Sequence, residues 1–144
     1  MTTIVASATA AIVAALQASP AVAPQVARVR MRPLGAATTT AVVVRPRMAE
    51  AAEQLLSGMP ITWACSIDVE CYAKTTTATA PDAAVDALLA SAYARLMADA
   101  TLAGAVGLIN PVGITYDFDV DGDYTACATL TLQVRQTAAN PATL

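Results

Sequence analysis

The sequence predicts an α+β domain: a mainly antiparallel, mixed β-sheet packed by an N-terminal helix and a second helix near residues 82–98, with a C-terminal β-hairpin. Three observations carry this. Apolar residues recur at helical spacing over residues 4–16 and again over 85–96. Within residues 61–74, Cys65, Ile67, Val69, Cys71 and Ala73 fall on one strand face, and Ser66, Asp68, Glu70 and Tyr72 on the other. Two further alternating runs flank Asp121-Gly122, a pair suited to the type I′ turn of a tight hairpin.

The first helix is expected to start on a Thr2 or Thr3 cap and to run to about residue 18. Ile4, Ala8, Ile12 and Leu16 recur every four residues, and Val5 and Val13 widen the stripe. Pro20 and Pro24 end it. From Val26 the period changes to two, which puts Val26, Arg28, Arg30 and Arg32 on one face and Ala27, Val29 and Met31 on the other. Pro33 and Gly35 break that strand. The β-branched run 38–44 predicts the next strand, closed by Arg45-Pro46-Arg47. Residues 48–56 read as a short helical turn or ordered loop, stopped by Ser57-Gly58, and 61–74 is the central strand. After a polar loop, Thr79-Ala80-Pro81-Asp82 offers a capping-box-like start with an early proline and acids in the first turn. The helix over 82–98 then carries Val85, Leu88, Leu89, Ala92 and Leu96 on one stripe. Asp99 to Gly104 reads as a fresh cap and one further turn. In the hairpin, Ile114, Tyr116, Phe118 and Val120 alternate with Thr115, Asp117 and Asp119, while Leu130, Leu132 and Val134 point inward. Residues 138–144 form a loose tail. No repeat or linker divides the chain, so residues 1–144 are expected to be a single domain, with the N-terminal helix inside 1–19.

Composition narrows the chemistry. A chain of 144 residues buries about 70 % of its unfolded surface and needs no metal or disulfide to fold. Histidine is absent and Lys74 is the sole lysine, which excludes His-dependent acid–base catalysis and Cys/His zinc sites. The net charge of −3 argues against a generic nucleic-acid binder. Of the hydrophobic residues 35 are alanine, so the positive hydropathy overstates the bulk available for packing. Charged residues make up only 13 %, which fits a surface covered by other subunits. Cys65, Cys71 and Cys127 have no ligand spacing and fall in strand-like segments, where free cysteine behaves as a small buried hydrophobe. The uncharged first 27 residues resemble a secretory signal in apolarity, but no basic residue precedes Arg28. They are read as a helix docked on its own domain or on a neighbour, too alanine-rich and too short before Pro20 to span a bilayer.

Asp117, Asp119, Asp121 and Gly122 spell D-x-D-x-D-G, the opening of an EF-hand loop. The twelfth position, where a bidentate glutamate is required, is Ala128, and the flanks alternate as strands. A hairpin tip carrying Asp117, Asp119, Asp121 and Asp123 is the better reading, with no metal. Charge is split along the chain: residues 1–60 hold five arginines against two glutamates, and residues 61–144 hold three basic against nine acidic residues. Such a bipolar chain mates with copies of itself or with partners in fixed order. Arg28, Arg30, Arg32, Arg45 and Arg47, with Trp63 as an aromatic anchor, are therefore the candidate interface residues. Neither Arg28, Arg30 and Arg32 nor their surroundings carry the interleaved aromatics of a phosphate-binding stripe. Asp68 and Glu70 are expected on the wet face of the sheet. The sequence has no P-loop, GxGxxG or GxSxG, and no cysteine has a histidine to activate it, so neither a cofactor nor an enzymatic role is expected.

The pieces have a recognisable order. Pro60-Ile61-Thr62-Trp63 runs into Val69-Glu70-Cys71-Tyr72-Ala73-Lys74, then Asp82-Ala83-Ala84-Val85-Asp86-Ala87-Leu88-Leu89. Asp99-Ala100-Thr101-Leu102-Ala103-Gly104 follows, and Ala126-Cys127-Ala128-Thr129-Leu130-Thr131-Leu132-Gln133-Val134 closes the series. Together these resemble the tail terminator (minor tail, tail completion) proteins of long-tailed bacteriophages, over residues 60–137 in pattern and over the first 59 in layout. The resemblance implies a structural virion protein: a hexameric ring on the head-proximal end of the tail tube that ends tube polymerisation and joins the tail to the head. The implied partners are further copies of the chain, the major tail tube protein, the head–tail connector or stopper and, in a contractile tail, the sheath. DNA would only pass through the lumen, where an acidic lining of Asp117, Asp119, Asp121 and Asp123 would repel phosphate. The implied location is the virion, after assembly in the host cytoplasm. Rival readings are a head-closure or neck protein of the same virion and, in a different class, a small secreted ligand- or calcium-binding module.

Overall fold

The structure, a computed structural model, describes residues 2–29, 38–53, 58–75, 80–118 and 125–139. Among these the chain runs α1 (Ile4–Gln17), β1 (Gln25–Arg28), β2 (Thr40–Glu53), β3 (Ile61–Lys74), α2 (Pro81–Met97), β4 (Leu108–Phe118) and β5 (Thr125–Ala138). The strands form one sheet in the order β1-β2-β3-β5-β4. β1 lies parallel to β2 and every other pairing is antiparallel. Both helices lie on one side, so the predicted α+β class and its helix-covered mixed sheet are what the chain adopts.

The core sits between helices and sheet. Ala8, Ile12 and Leu16 of α1 and Val85, Ala92 and Leu96 of α2 are fully buried against Val44, Ile67, Val69, Leu130 and Leu132. The helices are tied together at one end. Arg95 of α2 donates to the carbonyls of Ala15 (3.3 Å), Ala18 (2.8 Å) and Pro20 (2.8 Å), a cation meeting the unpaired carbonyls at the C-terminus of α1. At the other end, Thr3 Oγ1 accepts the Ala6 N–H at 3.1 Å, the N-cap read from sequence. α2 begins differently from the expected box. Its N-cap is Ala80, with no side-chain bond, and Pro81 and Asp82 make the start through a preset φ and a charge at the positive helix end. Thr79 lies outside the described residues.

Two strand boundaries correct the sequence reading. Residues 48–53 continue β2 rather than forming a helical turn. β1 covers β2 only from Ala41 to Val44, so among the described residues β2 is an outer strand beyond Val44, where Pro46 leaves no ladder bond broken. A register shift between Pro46 and Met48 absorbs the proline. β1 is shorter than the arginine alternation suggested, because Val29 turns to φ 42°, outside the pleat. Arg30 and Arg32 lie outside the described residues, as do residues 140–144 of the expected tail.

The connection from α2 to β4 is the predicted cap and turn. Asp99 accepts the N–H groups of Thr101 (2.9 Å) and Ala103 (2.6 Å) and the Thr101 hydroxyl (2.8 Å). These bonds hold its carboxyl below the usual carboxylate range. Leu102, Ala103 and Gly104 are all left-handed, at φ 47°, 58° and 81°. Gly107 then bonds the Arg135 carbonyl at 3.0 Å, so close that a Cβ there would stand 2.7 Å from that oxygen. No described helix is long and apolar enough to cross a membrane.

Candidate functional site

The side of the sheet away from the helices carries a charged row. Arg45 lies 3.4 Å from Glu70 and Arg47 3.5 Å from Asp68 across the β2–β3 ladder. Tyr72 donates its hydroxyl to Glu70 at 2.9 Å and Thr131 donates to Asp68 at 2.9 Å. Asp68 and Glu70 are only 8 % and 9 % exposed, which overturns the wet-face expectation. Arg45 and Arg47 pair with them from β2, and hydroxyls from the same and the neighbouring strand each add a hydrogen bond. The arginine side chains stay about half-exposed over buried carboxylates, so both cations remain open to a neighbour.

Arg28 does not join this row. It pairs in register with Val44, which faces the helices, so it projects from the opposite side of the sheet. Trp63 is half-buried and packs against the core, with its indole N–H enclosed and without a partner among the described residues. The three cysteines are buried. Burial, with Cys127 nearby, pushes the Cys71 thiol up to about 12, and burial also raises Cys65 and Cys127. Thiols held protonated in this way are poor nucleophiles.

The feature that sequence reasoning missed lies on the helix side of β4. Ile114, Tyr116 and Phe118 stand beside Leu130, Ala128 and Ala126 of β5 and share their orientation. Yet they are 46 %, 47 % and 54 % exposed, because α2 lies over β3 and β5 and stops short of β4. The rings of Tyr116 and Phe118 stack with centroids 6.2 Å apart and planes 12° from parallel. Tyr116 reaches back to α2, donating to Asp86 at 3.3 Å. Between strand and helix runs an apolar groove of about 440 Å³, walled by Leu89 and Tyr93 on one side and Val112 and Ile114 on the other, with Leu130 as floor. Asp86 edges it with negative charge. The signal was present as the aromatic alternation 114–118. It gives the pleat but not the reach of the helix above it.

Asp117 is exposed on the opposite side of β4, level with Cys127. Asp119, Asp121 and Asp123 lie outside the described residues, so the acidic tip is represented by Asp117 alone. The residues on both sides of it are strands. Among the described residues no cluster of His, Cys, Asp and Glu is placed to hold a metal ion.

No protein-family model and no curated protein matches this sequence. Solved structures do. The chain is similar to one in the virion of a native gene transfer agent particle, with a TM-score of 0.50 and 16 % identity over 90 % of this chain and 94 % of that one. It is also similar to the sheath/tube terminator of an extracellular contractile injection system in its extended state, with a TM-score of 0.49 and 13 % identity. That likeness takes in 95 % of this chain but only 58 % of the other. At such identities the likeness to the gene transfer agent chain concerns the fold, and along nearly the whole length of both chains this α+β fold is one found in a gene transfer agent virion.

Proposed function

We propose that this chain is a tail terminator-like structural component of a phage-type virion. Copies close into a ring, six-membered as the resemblance implies, on the head-proximal end of the tail tube. The ring ends tube growth and presents the surface on which the head–tail connector seats. The observation that carries this reading is the bare apolar side of β4. The chain leaves Val112 mostly exposed and Ile114, Tyr116 and Phe118 about half exposed, beside a β4 edge with which no described strand pairs. Surfaces of that kind mark association sites. The fold shared with a gene transfer agent virion chain supports a virion setting. Assembly in the host cytoplasm and a structural rather than catalytic role follow from the same reading, as does an acidic lumen lined by the 117–123 hairpin.

Removing the chain from particles of the source that encodes it tests the proposal. Tails of uncontrolled length, unattached to heads, are expected. Tails of normal length beside unjoined heads would point to a neck or head-closure role instead, and intact particles would overturn both.

A further inference from the structure

We propose that the groove between α2 and β4 receives the outer half of β2, around Arg47 and Met48, from a neighbouring copy of this chain. This deepens the reading above and rests on it. The groove sets the requirements for its occupant: apolar, to cover Tyr93, Ile114 and Tyr116, and cationic at one point, to meet Asp86 at the edge. Within the outer half of β2, residues 45–48 have both properties, ahead of the acidic Glu50 and Glu53 that end the strand. Met48 is 52 % exposed, and the side chains of Arg45 and Arg47 are 45 % and 60 % exposed. Beyond Val44 no described strand pairs with this edge of β2.

The topology decides which copy supplies it. β3 and β5 lie between β2 and β4, which separates the two surfaces by three strand spacings, roughly 14 Å, along one rigid sheet. A chain therefore cannot fill its own groove. Two copies facing each other groove to groove would bring Asp86 against its own likeness, a repulsive arrangement. Joining β2 of one copy to the groove of the next sets opposite charges together and leaves each copy with one donor and one acceptor surface. Contacts of this heterologous kind repeat until a rotation closes them.

The test is cross-linking inside assembled particles that carry variants of the full chain. Cys65, Cys71 and Cys127 are buried, so a short bis-maleimide reads only introduced thiols. M48C and I114C in one chain should give a ladder of covalent multimers on a denaturing gel, and either substitution alone should leave monomers. D86R and M48D should each reduce incorporation of the chain at least tenfold, and M48D does so without touching the Arg45–Glu70 and Arg47–Asp68 pairs. M48D combined with D86R, which sets opposite charges together without touching either ion pair, should restore incorporation, with melting curves confirming that each variant folds. Particles that hold the chain at the tail end but give no M48C/I114C ladder overturn this pairing and leave the terminator reading standing. Dimers from I114C alone overturn it in favour of groove-to-groove contact. A chain missing from the particles overturns both.

Discussion

The helix side of the sheet has a covered part and a bare part, one strand apart. On β5, Leu130, Leu132 and Val134 are completely buried beneath the helices; on β4, Ile114, Tyr116 and Phe118 take the same orientation and remain about half exposed. Both strands alternate equally well in sequence. Alternation fixes which side a residue faces, whereas the length and heading of the overlying helix fix whether anything lies on top of it. The covered part is where folding energy resides, and the bare part is where the chain has apolar area left for other molecules.

The comparison breaks most directly by truncating one residue on each side of the boundary. Leu130→Ala removes a fully buried side chain from the middle of the core and should cost about 2–5 kcal/mol in urea unfolding. Ile114→Ala, directly across the ladder, should cost the isolated chain less, about 1 kcal/mol, because nearly half of its surface stays in water after folding. Incorporation into particles should reverse the ranking among variants that fold, with Ile114→Ala the weaker. Equal unfolding costs would mean that β4 is covered in solution.

The covered part should also respond to alkali. An unfolded Cys71 thiol ionises near its ordinary value of 9.0, and the folded one keeps its proton to about 12. Between these values the unfolded state binds fewer protons than the folded state. Stability is therefore full below pH 9 and falls as pH rises through that window, by about 1.4 kcal/mol per pH unit. Cys71→Ala should flatten this slope in melting curves taken from pH 8 to 11.

Much of the covered part was legible in the sequence because its signals are local and redundant. In β3, Cys65 to Ala73 alternate cleanly, and in α2, Val85, Leu89, Ala92 and Leu96 keep one stripe, so pattern and burial agree. What was not legible depends on neighbours distant in sequence. Pro46 reads as a strand ending unless β1 is known to stop at Arg28, and Ala49, Glu50 and Ala51 favour helix until β3 pairs them. Asp68 and Glu70 look solvated until Arg47 and Arg45 arrive from β2. The groove is invisible for the same reason: it exists because α2 is placed over β5 and not over β4, a relation between elements that no single segment encodes.

How β4 is held in its bare position gives a sharper prediction. Gly107 brings the chain onto β5 through the 3.0 Å bond to the Arg135 carbonyl, and a methyl group there meets backbone, which cannot swing aside. Gly107→Ala should cost about 1–3 kcal/mol. It should also speed amide exchange in β4 more than in β3, since the strand's first anchor is the one displaced. Uniform exchange through both strands would mean that β4 is not separately anchored.

The smallest expected effect concerns the turn just before that anchor. Ala103 sits at φ 58°, a left-handed conformation that costs an ordinary L-residue about 1–2 kcal/mol, and Leu102 beside it carries the same burden at φ 47°. Asp99 offsets the strain by gathering the N–H groups of Thr101 and Ala103 under one carboxylate. Glycine accepts this conformation freely but loses more chain entropy on folding. Ala103→Gly should therefore stabilise the protein by a net of at most about 1 kcal/mol. Asp99→Ala should loosen the same turn, and the wild-type turn should weaken as pH falls through the lowered pKa of Asp99, since its charge is what the two N–H groups bind. Combining Ala103→Gly with Asp99→Ala separates the two contributions: if the strain and its carboxylate clamp belong to one unit, the glycine gains more when the clamp is missing than when it is present, whereas strict additivity would make the Asp99 bonds independent of the left-handed run that leads into β4.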